Sequence, residues 1–359
     1  IHNKRKPTLA QQLSTTLKTT TVVKDLSNDY QVQYQLNKKN FNLIAGAGKA
    51  TIDSTSNVKI ILNNFITLSN TNTKTTDKQT TSYIYSYFNL QDTNLTLGIT
   101  NEDIDSEKQN HYLNELNPKF GLIYNISNAF RFRLAAFDTI KRALVSNQTL
   151  EPTQLAGFNQ FYDDINTSKS SVKGIALDYI NTEYLSSGLE MVQRNIEIPQ
   201  SSGSPPVLIF ESLDEKSYSF YLNWLISNRY QLNLQYNQEN FEYSALRVRD
   251  SKLEELPISF RYTHPGGFYS ELKYTNIKQQ IKFVGGSTTT IENTDFNVTD
   301  LSIGYKLSKN SGDGRVIINN IQNRNFKYQD KEVYNADKFN TATKYLPERT
   351  VSLYITLYF

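Results

Sequence analysis

Apolar and polar residues alternate with a period of two along most of this chain, the signature of strands whose two faces meet unlike surroundings. In YQVQYQLN, Tyr30, Val32, Tyr34 and Leu36 oppose Gln31, Gln33, Gln35 and Asn37. RYQLNLQYN sets Tyr230, Leu232, Leu234 and Tyr236 against Gln231, Asn233, Gln235 and Asn237. FRFRLAAF sets Phe130, Phe132 and Leu134 against Arg131 and Arg133, and VSLYITLYF places Val351, Leu353, Ile355, Leu357 and Phe359 on one face. The pattern predicts strands at 12–24, 29–37, 41–52, 79–90, 94–101, 118–126, 129–138, 171–180, 184–195, 216–226, 229–241, 255–263, 268–282, 297–308, 314–328 and 348–359, sixteen in all.

The links between them alternate in length. NKKN, QDTN, SNA, NTEY, SNR, HPGG and KNSGDG are short, whereas those at 53–78, 102–117, 139–170, 196–215, 242–254, 283–296 and 329–347 are longer. Outer-membrane barrels pair short periplasmic turns with longer external loops. The expected fold is therefore all-β, a closed antiparallel transmembrane β-barrel of about sixteen strands. Only the short link KDLSN, near the start, breaks the length rule. The apolar stretch VKIILNNFITL (58–68) is expected within an external loop or hairpin, because a spanning strand there would upset the alternation.

Composition fits this picture. Hydrophobic residues make up only 38% and the mean hydropathy is −0.53, yet there are 24 Tyr and 19 Phe. A barrel needs apolar residues only at alternate positions, with aromatic girdles at both interfaces. No apolar run approaches the roughly 18 to 20 residues that a spanning helix needs. The absence of cysteine removes disulfides, thiolate metal sites and a cysteine nucleophile. A net charge of +3 is too small to imply nucleic acid. His2, His111 and His264 stand far apart, so no catalytic group, metal or cofactor is expected. GAGKAT lacks the spacing of a phosphate loop, and Gly46 and Gly48 are expected to leave room inside the barrel.

Arg131 and Arg133 should turn inward, since Arg on the lipid face near the midplane costs about 2 to 4 kcal/mol. Asp178, Glu190, Arg261, Glu271, Lys273 and Lys306 also fall on polar faces and complete the candidate lumen or constriction residues. Their mixed signs argue against a single-sign filter. The 139–170 link is the longest and carries Leu155, Phe158 and Phe161, which would be poorly placed in open water. It is a candidate constriction, expected to fold into or over the lumen near Arg131 and Arg133.

Residues 117–164 read NPKFGLIYNISNAFRFRLAAFDTIKRALVSNQTLEPTQLAGFNQFYDD. The NPKFGL and TLEPTQLAGFNQF segments resemble the C-terminal barrels of Gram-negative outer-membrane proteins that follow tetratricopeptide repeats and are related to TonB-dependent receptor barrels. INNIQNRNFKYQD (318–330), with the closing aromatic strand, is similar to the ends of those receptors. The resemblance implies one barrel domain over 1–359, open to being the C-terminal part of a longer protein, in the bacterial outer membrane. It implies outer-membrane lipid as surroundings and a periplasmic repeat domain or partner. It also implies that Val351, Leu353, Ile355, Leu357 and Phe359 are the signal for the outer-membrane assembly machinery. The expected function is a pore or translocation barrel for solutes or an exported polymer, not an enzyme. The alternatives are the barrel portion of a TonB-dependent-type uptake receptor, or a structural or adhesive barrel that binds partners through its external loops.

Overall fold

Extended backbone runs through the alternating segments 30–37, 130–137, 230–237 and 351–357, whereas the strand expected at 314–328 stops at Asn319 before a turn. The structure is a computed structural model and describes residues 2–5, 8–12, 17–62, 66–108, 110–143, 148–181, 183–202, 207–243, 248–285, 288–307, 311–324, 327–328, 344–345 and 349–358. In chain order the strands are β1 (His2–Arg5), β2 (Thr8–Gln12), β3 (Leu17–Asn37), β4 (Phe41–Leu62), β5 (Ile66–Leu90), β6 (Thr93–Ser106) and β7 (His111–Asn125). There follow β8 (Phe130–Ile140), β9 (Gln154–Leu155), β10 (Phe158–Asn159), β11 (Lys169–Asn181), β12 (Leu185–Ser202), β13 (Val207–Ser227) and β14 (Tyr230–Tyr243). The last are β15 (Val248–Thr263), β16 (Phe268–Gly285), β17 (Thr288–Lys306), β18 (Gly312–Asn319), β19 (Lys327–Tyr328), β20 (Lys344–Tyr345) and β21 (Thr350–Leu357). No helix occurs among the described residues. Among the described residues seventeen strands form one antiparallel sheet, and β9–β10 and β19–β20 are separate two-stranded ladders.

β1 and β2 pair with β3 at one common register, His2 with Asn28 and Thr8 with Val22, so together they act as a single interrupted strand. The seventeen strands then make sixteen wall strands, but not the expected sixteen. Residues 17–24 of the first expected segment and all of 29–37 belong to one strand, β3, which pairs with β4 without a break from Leu17 with Leu62 to Asn37 with Asn42, while 13–16 lie outside the described residues. KDLSN is thus not a link. The remaining wall strand comes from residues 2–5 and 8–12.

Several long links are strand as well. β4 and β5 remain paired up to Leu62 and Ile66, so the 53–78 region is one tall hairpin with VKIIL and ITL near its tip. β12 with β13 and β16 with β17 also reach well into the predicted loops. Beyond the bilayer both faces meet water, so the apolar alternation fades while the backbone ladder continues unaided.

Packing divides the chain into two compact units, residues 1–122, 135–171 and 197–210 in one and 123–134, 172–196 and 211–359 in the other. In the first unit, Ile84, Leu97, Ile99, Leu116 and Phe120 share one face of β5–β7 and are 43, 44, 37, 60 and 36% exposed. In the second, cross-strand rows on β13–β17 put Trp224, Leu232, Phe260, Leu272 and Leu301 side by side on an exposed face. These apolar faces are the ones that a bilayer covers. The opposite face is called inner below.

Inner-face tyrosines fill the gaps left by glycines. Tyr83 lies over Gly46, Tyr85 over Gly98, Tyr221 over Gly188 and Tyr269 over Gly304, each on the neighbouring strand. Three of these are direct register partners. A Cβ on Gly98 would come within 2.7 Å of the Tyr85 ring, so glycine is what lets the ring lie flat. The room at Gly46 is filled in this way by Tyr83.

Candidate functional site

The link between β8 and β11 is a folded structure rather than an open loop. QLAGFN makes the β9–β10 hairpin, and Ala156 (φ +49°) and Gly157 (φ +87°) form its two-residue turn. Two successive positive-φ residues are the geometry of a type I′ turn. Leu155 and Phe158, on either side of that turn, are fully buried. The hairpin seats on β7 at Gly121, where an added Cβ would come within 3.0 Å of Leu155 Cγ. The face it occupies carries Tyr83, Tyr85, Thr100, Glu102 and Lys119, so the loop lies on the inner face of β5–β7.

A buried charge network holds it there. Arg142 Nη2 donates to Glu151 Oε2 (2.7 Å) and Thr149 Oγ1 (2.9 Å), and its Nη1 donates to Thr81 Oγ1 (2.7 Å) and lies 3.5 Å from Glu102 Oε1. The Arg142, Glu151 and Glu102 side chains are 8, 2 and 4% exposed. Tyr85 and Thr100 hydroxyls donate to Glu151 Oε1 at 2.7 and 2.9 Å. The loop is also tied to β3. Leu150 N–H donates to Gln31 Oε1 (2.8 Å), and Gln33 Nε2 donates to Leu150 O (2.5 Å). Gln160 closes the knot, its Nε2 donating to Pro152 O (2.9 Å). Lys119 Nζ donates to Asp138 O (2.6 Å) beside the Phe137 ring.

Burial works against the charge on Arg142, which lies beyond the end of β8, but the Glu102 and Glu151 carboxylates outweigh it and raise the Arg142 pKa. The guanidinium therefore stays charged. A buried pair of this kind contributes little net stability while intact, yet losing one partner is costly. Its effect is to specify one loop position.

The residues picked out by alternation fall into separate groups. Leu155 and Phe158 belong to the seated hairpin, and Phe161 lies half-buried with its ring 5.3 Å from the Arg142 guanidinium. Arg133, Asp178 and Glu190 come together in the second unit. Arg133 Nε donates to Asp178 Oδ2 (2.6 Å), its Nη2 donates to Glu190 Oε2 (3.1 Å), and Tyr221 donates to Asp178 Oδ1 (3.3 Å). Arg131 is exposed and donates to Asn125 Oδ1 (3.2 Å). Arg261 lies 3.9 Å from Glu271 and over the Tyr269 ring, Lys273 stands opposite Asp300, and Lys306 is exposed opposite Asp313. Val351, Leu353, Ile355 and Leu357 are exposed on β21, which pairs with β18. Phe359 lies outside the described residues.

The arginine that holds the loop is Arg142, which has no alternating neighbours to mark it. The motif stretch contains its partners nonetheless: Glu151 and Gln160 stand in TLEPTQLAGFNQF, and Lys119 and Gly121 in NPKFGL.

No protein-family model matches the sequence, and no curated protein matches it. Solved structures do match in fold. The ferric citrate transporter FecA in its unliganded form superposes with a TM-score of 0.68 at 11% identity, over 99% of this chain and 57% of that one. The copper transporter OprC gives 0.67 at 9% identity, over 95% and 57%. The ferripyoverdine receptor of the Pseudomonas aeruginosa outer membrane gives 0.65 at 13% identity, over 93% and 48%. The fold is thus that of outer-membrane β-barrels, and it is similar to TonB-dependent receptors. The chain spans about half the length of the proteins it resembles.

Proposed function

We propose that residues 1–359 form a single transport barrel of the bacterial outer membrane, passing solutes or an exported polymer through a polar passage restricted by the 141–168 loop. The observation that carries this reading is the burial of Leu155 and Phe158 against the inner face, locked by the Arg142–Glu151 pair. A loop held that way narrows the route along the wall whatever the barrel's diameter. Leu155 and Phe158 seat the constriction on the wall, and the half-buried Phe161 is the candidate side chain left to face the passage. Arg133, paired with both Asp178 and Glu190, lines the wall as a polar patch with one carboxylate in excess, whereas Arg261 with Glu271 is neutral; Arg131, Lys273 and Lys306 complete the lining. Val351, Leu353, Ile355, Leu357 and Phe359 serve as the signal to the assembly machinery, and a periplasmic repeat domain or partner delivers the cargo.

The second reading is the barrel part of a TonB-dependent-type uptake receptor, supported by the likeness to ferric citrate and ferripyoverdine proteins. Deleting residues 145–166 separates the two. The cut removes Glu151 but leaves Arg142 paired with Glu102, so no buried charge is orphaned. Single-channel conductance in a planar bilayer should then rise. Unchanged conductance from a folded barrel would overturn the constriction and shift the preference to the receptor.

A further inference from the structure

The outer face of β13–β17 ends its apolar run at a staircase: Tyr218 on β13, Tyr236 on β14, Leu256 on β15, Tyr274 on β16 and Leu301 on β17. Moving outward on the same face, the next residues are Lys216, Gln238, Glu254, Asn276 and Thr299. A stepped margin is what strands tilted by about 35–45° give when they cross a flat lipid boundary. On β13 the apolar face runs from Ile226 to Tyr218, nine residues. That is close to the roughly 9 to 11 residues of a tilted spanning strand. The polar face thus begins one step beyond the margin on β13, at Lys216, and Asn240, Lys252 and Gln280 stand two to three steps beyond it on β14, β15 and β16, just outside the hydrocarbon layer.

Those rows are ordered by the ladder. Lys216, Asn240, Lys252, Gln280 and Asn293 form one, each opposite the next. Asp214, Glu242, Asp250 and Lys282 form the row above it. All of these but Asn293, with Gln238, Phe241, Ser251 and Ile291, line a hollow of about 440 Å³. Its charges balance, with Lys216, Lys252 and Lys282 against Asp214, Glu242 and Asp250. Its amides are held in place: Tyr236 donates to Gln238 Oε1 (3.0 Å), Gln238 Nε2 to Asn240 Oδ1 (3.2 Å) and Gln280 Nε2 to Asn293 Oδ1 (3.0 Å). Lys282 is bonded to Asp250 at 2.8 Å.

We infer that this hollow binds the saccharide head of an outer-leaflet glycolipid. A balanced site gains little from a bare phosphate. Fixed amides and carboxylates instead match hydroxyl groups, which donate and accept at once. The lipid-borne source follows from position. The hollow lies on the same outer face as Trp224, Phe260 and Leu272, beyond the apolar margin, so the same molecule's acyl chains would lie against that apolar face. Anchoring in the bilayer also gives the head a high effective concentration at that height.

The test uses the full chain in detergent micelles and purified lipopolysaccharide as probe, with phospholipid and with the released, acyl-free saccharide as competitors. Asn240→Leu with Gln280→Leu should weaken lipopolysaccharide binding by at least about tenfold. Thr80→Leu, on the exposed face of β5, should leave it unchanged. Lys216→Ala gives a milder variant with the same expected direction should the double change fail to fold, and heat-modified gel mobility reports folding. Equal binding by wild type and a folded hollow variant would overturn the site. Phospholipid competing as well as lipopolysaccharide would overturn the saccharide assignment, and free saccharide binding as tightly would overturn its lipid-borne source.

Discussion

Replacing Arg142 with Met should release the loop while sparing the wall. The change leaves Glu102 and Glu151, 4 and 2% exposed, without their shared cation, and removes donors to Thr81 and Thr149. Stripping one partner from a buried ion pair costs roughly 3 to 5 kcal/mol. The loop can avoid that cost by undocking, so the penalty falls on the docked state rather than on the sheet. At about 1.4 kcal/mol per factor of ten, the ratio of docked to undocked loop falls by roughly 150- to 4,000-fold. The Leu150 amide is the reporter, because its hydrogen bond to Gln31 Oε1 joins loop to wall. Its hydrogen exchange should quicken by that factor, up to the undocked limit, while amides of the β16–β17 ladder keep their protection. Adding Glu102→Gln and Glu151→Gln to Arg142→Met takes away the orphaned charges and should restore most of the protection. Unchanged exchange at Leu150 in the single variant would refute the argument. A triple variant no better protected than the single would show that packing, not charge, sets the loop.

Cysteines at 121 and 156 should cross-link spontaneously under oxidising conditions, since a Cβ at 121 stands 3.3 Å from Ala156 Cβ, and a gel shift reversed by reductant would show it. Gly304→Val drives a side chain into the Tyr269 ring and should cost about 1 to 3 kcal/mol in urea unfolding from lipid vesicles, less when combined with Tyr269→Ala. Ile258→Lys, in the middle of the lipid-facing rows, should cost about 2 to 4 kcal/mol in the same assay, whereas Gln238→Lys, above the margin, should cost about 0 to 1. Arg133→Gln leaves Asp178 and Glu190 uncompensated and should move reversal potentials toward cation selectivity, with Arg131→Gln having the smaller effect.

The two-faced character of the strands was legible because lipid and lumen make opposite demands at alternate positions. The rule sets Phe132 and Arg133 on opposite faces of β8. Alternation is silent on what covers a face: Ala135 and Phe137 share the inner face with Arg133, and they are buried and apolar in their unit. KDLSN hid the continuity of β3, since a strand outside the bilayer needs no apolar residue to remain paired with β4. The latch was illegible for another reason. Arg142 meets Thr81, 61 positions away, and Glu102 lies on β6, so the network exists only after the loop has folded back. The length of the 139–170 link and its apolar Leu155, Phe158 and Phe161 pointed to the loop, and they gave the place without the chemistry.

The tyrosine–glycine pairs resolve an ambiguity that alternation leaves open during assembly. A slip of one residue turns every side chain to the other face and is rejected at once. A slip of two keeps all faces right, so neither lipid nor lumen can detect it. The glycines can. Moved by two, Tyr269 would meet Ser302 or Lys306 instead of Gly304, and Tyr85 would meet Thr96 or Thr100 instead of Gly98. Neither replacement leaves space for the ring. The β4–β5 joint is more permissive, because Gly48 follows Gly46 on the same face and offers Tyr83 a second seat. Its errors are caught one strand later, where Gly98 is keyed to Tyr85. The rings thus act as error-checking keys between neighbouring strands, rejecting mismatches that hydrophobicity alone would let pass.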